Sequence, residues 1–174
     1  ARRLLGPERD DAYVQAETEK ACMAIRQGVY GGAPGLIGKV GLCYCLTGDE
    51  AYAKLCKNLL FEMDAFAKSN PNTYGGIWGF DADFSLRETI VAWDLVEESS
   101  VFCDADRLRI TRMLCQYIRW CAGNVHAVMD RDTVRHNHQT FAARGLLSAG
   151  NYYTKYYGTK EGRRWLEMAE VCFR

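Results

Sequence analysis

Residues 135–145, RHNHQTFAARG, hold two of the chain's three histidines, two arginines and an asparagine. An imidazole exchanges protons between about pH 5 and 8, which makes it the natural general acid or base at neutral pH. The small residues that follow read as a helix, so the cluster sits at a helix start. Unpaired backbone N–H groups and a partial positive charge of about half a unit favour an anion there. Asn137 suits two roles: N-cap, with Thr140 three positions on, or amide donor to a ligand. Arg135 and His136, in the polar run before it, are candidate ligand contacts beside His138. His126 ends an earlier helix, where a cation is electrostatically welcome, and carries no assigned chemistry.

Such a cluster needs helices to hold it. From Ala51 to Lys68 the apolar set Tyr52, Leu55, Cys56, Leu59, Leu60, Met63 and Phe66 has the spacing of a one-faced helix. Residues 105–121 repeat the design, with Ile110, Met113, Leu114, Tyr117, Ile118, Trp120 and Cys121 opposite Arg109, Arg112, Gln116 and Arg119. Asp104 or Asp106 is the expected N-cap. Three other stretches, GLIGKVGLCYCL, FSLRETIVAWDLV and HQTFAARGLLSAGNYY, are apolar or small around most of their circumference, which predicts burial on more than one side. In the second, Leu86, Ile90 and Trp93 lie opposite Phe84, Val91 and Leu95, so it needs two neighbours. Crowded and one-faced helices alternate, the crowded ones starting near residues 34, 84 and 138. That spacing of roughly 50 residues is longer than tetratricopeptide or ankyrin units. Gly48 and Gly158 fall where a helix C-cap takes positive φ. Residues 10–28 read as one more outer helix.

The fold class expected is therefore all-α: an incomplete α/α toroid of helical hairpins, inner helices sheathed by outer ones. The inner-helix N-termini gather at one rim, and the loops 69–84 and 124–138 meet there. A chain of 174 residues, 48% hydrophobic, with 22 basic and 22 acidic residues, suits one soluble domain. Its zero formal net charge offers no general argument for nucleic acid or a membrane surface. The eight cysteines include no CxxC pair, so they read mostly as small core residues, as at Cys56, Cys115 and Cys121. No metal site or cofactor is expected, because the pair His136 and His138 has no further ligands at helical spacing. Ala at position 1 and a terminal helix without a stop signal read as one domain, 1–174, truncated at both ends and inactive by itself.

The Asn137-His138 pair, the turn TGDEAY and the run AWDLVEESS…DADRLRI together resemble the helical toroid domain of heparinase II/III-like polysaccharide lyases, a group akin to alginate lyases. The resemblance covers most of the chain and part of the family's domain. It implies β-elimination on an acidic, uronic-acid-containing polysaccharide and a periplasmic or secreted protein. In such sites Asn and His neutralise the uronate carboxylate, whose charge otherwise opposes loss of the adjacent proton. Carried to this chain, Asn137 and His138 are catalytic. From the residues themselves, Arg135 and His136 read as substrate contacts or solvated loop charges, Arg87 and Glu88 as cleft residues or partners of neighbouring helices, and Tyr74 and Trp78 as a stacking platform for pyranose faces or a plug of the core. Trp93, Trp120 and Trp165 fit helical stripes and are expected in the core.

The family's proton-transferring tyrosine would lie beyond this chain. Tyr152, Tyr153, Tyr156 and Tyr157 follow His138 on the same helix at roughly 21 to 28 Å, too far for direct transfer. Phe141 stands where some relatives place an acid, which bears on the substrate. Two rival readings stay open. A glycoside hydrolase would use a carboxylate pair drawn from Asp81, Asp83 and Glu88, and a non-catalytic helical-repeat module would use the concave face.

Overall fold

The computed structural model describes residues 11–26, 33–69 and 82–174. Among them the chain forms seven helices and no strand: α1 (Asp11–Arg26), α2 (Ala33–Thr47), α3 (Glu50–Ser69), α4 (Ala82–Val96), α5 (Asp104–Met129), α6 (Asn137–Tyr157) and α7 (Lys160–Val171). The all-α expectation holds, with a helix at 11–26 where residues 10–28 pointed to one.

The helices lie in two rows. The crowded helices α2, α4 and α6 pack side by side, and α3, α5 and α7 lie against them, with α1 on α3 and α2. Gly38 meets Glu88 and Gly41 meets Ala92, so α2 and α4 run parallel. Asp83 meets His138 and Glu97 meets Tyr152, so α4 and α6 run parallel too. The N-termini of the central row thus share one end. The flanking helices run the other way: Asn124 of α5 meets Gln139, and Cys115 meets Tyr153.

The α4–α6 seam explains how the rim is set. On α4, Asp83, Leu86, Ile90, Trp93 and Glu97 follow a three-four spacing; on α6, His138, Ala142, Gly145, Ala149 and Tyr152 follow a four-three spacing. Each set makes one stripe. Leu86, Ile90, Trp93, Ala142 and Ala149 are all buried. Gly145 is required there, since a Cβ on it would stand 2.8 Å from Leu86 Cδ2. At Gly150 the absent Cβ lets α7 approach through Leu166. The apolar stripes of α3 and α5 are mostly buried as their periodicity predicts, with Leu55, Phe66 and Trp120 only half-buried; Trp93 and Trp165 are core residues.

Three expectations are corrected. Val91 is exposed and Leu95 only half-buried. The second neighbour of α4 is instead met by small residues, Gly41 of α2 lying on Ala92. The N-cap of α5 is Cys103, not Asp104 or Asp106. Asp106 reaches back from the third position to accept the Cys103 N–H at 3.1 Å, the second half of a capping box. Finally, α5 continues to Met129, so only 130–136 of the expected loop 124–138 is non-helical. Gly48 and Gly158 hold φ of 69° and 61°, the left-handed caps expected of them. All eight cysteines are free; Cys56 and Cys121 are buried, Cys115 half-buried, Cys45 and Cys103 exposed.

Candidate functional site

The site lies at the N-terminal end of the central row. The chain leaves α5, turns through Asp132 at φ 49°, and enters α6 at His136, whose φ of −156° and ψ of 160° make it the N-cap. Asn137 is therefore the first helical residue, not the cap. The reason is Gln139. From the third position its Oε1 accepts the Arg135 N–H at 2.7 Å, and its Nε2 donates to the Asn124 carbonyl at 3.5 Å. The buried amide ties loop, helix start and α5 together, leaving Asn137 exposed to solvent.

His138 turns toward α4. Its Nδ1 lies 2.8 Å from Asp83 Oδ2, and the two side chains are 17% and 1% exposed. Asp83 is in the first turn of α4, where backbone N–H groups and the helix dipole suit a carboxylate. Cys121 of α5 is buried within reach of the Asp83 charge. Burial first, and the Asp83 charge second, push its thiol well above the ordinary range, so it is inert as a nucleophile. The His136 ring stands edge-on to that of His138, centroids 5.7 Å apart.

The structure thus unites His136, Asn137, His138 and Asp83, with Arg135 held beside them through its backbone. Arg87 and Glu88 stand apart from this group. The Arg87 Nη1 donates to Glu88 at 2.9 and 3.2 Å, and Glu88 lies against Gly38 on the α2 side of α4. Tyr74, Trp78 and Asp81 fall outside the described residues. Phe141 is half-buried, with the Arg144 guanidinium 5.4 Å above its ring.

The tyrosines of α6 are engaged at the other end of the seam. Tyr152 donates to Glu97, Tyr157 donates to the same carboxylate at 3.3 Å, and Tyr153 pairs with Cys115. Burial pushes Glu97 above the usual carboxylate range, the two hydroxyl donors opposing it and Glu98 and Asp94 adding to it.

Sequence reasoning missed the partnership of Asp83 with His138 and the anchoring by Gln139. A signal existed for each: an acid in the first turn of a crowded helix, and a glutamine at the capping-box position of α6. Which acid faces which histidine depends on the pairing of two helices 55 residues apart, which periodicity does not specify. Among the described residues, no group of three His, Cys, Asp or Glu side chains converges as a metal cage would need. No family model, curated protein or solved structure matches this chain.

Proposed function

We propose that this chain is an arc of an α/α toroid belonging to a polysaccharide lyase, with its active centre at the start of α6. The single observation that carries the reading is the placing of Asn137 and His138: adjacent, in the first turn of a helix, at the end where the N-termini of a parallel row meet. The exposed amide of Asn137 and the partial positive charge of the helix start favour a uronate carboxylate. His138 supplies the proton acceptor.

In the reaction the C5–H bond breaks and its proton passes to His138. The electron pair becomes the second bond of C4=C5, the C4–O4 bond breaks, and the departing oxygen takes a proton from water. The imidazolium then returns its proton to solvent. The carboxylate donors lower the barrier because charge moves onto the carboxylate as the C–H bond weakens. The substrate class is an acidic, uronic-acid-containing polysaccharide.

The hydrolase reading has less support, since Asp83 is enclosed and paired to His138, and Glu88 is paired to Arg87. Incubation of the whole lyase, of which this chain is an arc, with a panel of polyuronates tests the proposal. New ultraviolet absorbance from the conjugated double bond is expected, with His138→Ala lowering the rate by roughly 100-fold or more. Chain cleavage without that absorbance marks hydrolysis. Polyuronate binding without cleavage that survives His138→Ala marks a binding module.

A further inference from the structure

The α4–α6 seam buries a carboxylate at each end, and the two are met by different groups. Glu97 accepts phenol hydroxyls from Tyr152 and Tyr157, whereas Asp83 has the His138 imidazole at ion-pair distance, with no hydrogen-bond geometry to either of its oxygens. A phenol has one proton to offer, but a neutral imidazole carries its single proton on either of two nitrogens, and its hydrogen-bond partner decides which. The nitrogen facing Asp83 is Nδ1, at 2.8 Å.

We infer that Asp83 is a positioning residue that holds the His138 imidazole as its Nδ1–H tautomer, leaving Nε2 as the nitrogen that accepts a proton. A carboxylate only 1% exposed is costly to bury unless a donor meets it. The alternative tautomer would set two lone pairs against each other across that distance.

The pair has little freedom to rearrange. His138 is largely enclosed, with the His136 ring at its edge. Asp83 cannot withdraw without moving α4, and Leu86, one turn along, is locked against Gly145. When Nε2 takes up a proton, the new positive charge forms directly opposite a fixed negative one. An aspartate serves an imidazole in this way in hydrolytic triads. What the accepted proton belongs to rests on the lyase reading; the tautomer rests on the 2.8 Å approach of Nδ1 to a buried carboxylate.

Long-range ¹H–¹⁵N correlations on the labelled chain, above the pH at which the rings titrate, read the tautomer directly. His138, assigned by the signal lost in His138→Gln, is expected to show a protonated Nδ1 and a bare Nε2. Asp83→Ala is expected to return the ring to the Nε2–H form preferred by free imidazole, with His126 unchanged as reference. In the whole lyase the rate of elimination from polyuronate should fall roughly 100-fold, part of it recovered in Asp83→Glu. A wild-type His138 found as Nε2–H overturns the inference, and so does a pattern unchanged in Asp83→Ala. If Asp83→Ala does not fold, the wild-type spectrum decides alone. An Nδ1–H ring, in a whole protein containing this chain that neither binds nor cleaves polyuronate, overturns the lyase reading and leaves Asp83 in its role.

Discussion

Glu97 and Asp83 show how a buried acid in one seam is given different work by its partner. Glu97 is 8% exposed and raised above the usual carboxylate range chiefly by burial. A folded-state value above the unfolded one means that the native protein holds this proton more tightly. The stabilisation is therefore full at acidic pH, below the glutamate's unfolded value, and is lost as pH rises through the folded value. Glu97→Gln should remove that dependence, so thermal unfolding from pH 4 to 7 should fall less steeply in the variant than in wild type. Tyr152 and Tyr157 are part of the same balance, since their donated hydroxyls favour the charged form. At this scale the sequence was partly legible. It placed Asn137 and His138 at the start of a crowded helix, where α6 begins. It misassigned the cap, because His136 has no capping side-chain bond and Gln139 does the anchoring instead.

Gly145 sets the separation of α4 and α6 two turns below His138, and so sets the Asp83–His138 distance. A methyl there would meet Leu86 Cδ2, Cβ and Cγ at 2.8 to 3.0 Å, and the Leu86 stem is held by its own helix. Gly145→Ala should cost about 1–3 kcal/mol by overpacking. Paired with Leu86→Ala it should cost less than the two changes summed, as a double-mutant cycle in denaturant would show. Helix identities, the glycine caps at Gly48 and Gly158, and the crowding of α6 were all readable, because period, small residues and left-handed turns are local properties. Helix ends were less so. The start of α5 turns on a capping box closed by Asp106, whose carboxyl is held below the usual range first by the Lys57 hydrogen bond from α3. That partner is 49 residues away and outside any local window.

The repeat inferred from the starts of crowded helices reappears as a register. Gly38 meets Glu88 50 residues on, and Asp83 meets His138 55 residues on. A spacing read along one dimension became a spacing across a row, because each hairpin packs on the last in the same way. The two-sided burial of α4 was foreseen, but its second side was mistaken: a run of hydrophobic residues does not reveal that α2 approaches through glycine and alanine while Val91 faces outward. Since α4 is the central helix flanked on both sides within its row, with α2 and α6 beside it, opening it requires parting two seams. Amide deuteration should therefore proceed inward from the margins, with α1 early and the buried middle of α4 last. Protection would then be graded by location, giving the anchor of the imidazole a longer residence in its native place than the loop that delivers the imidazole to it.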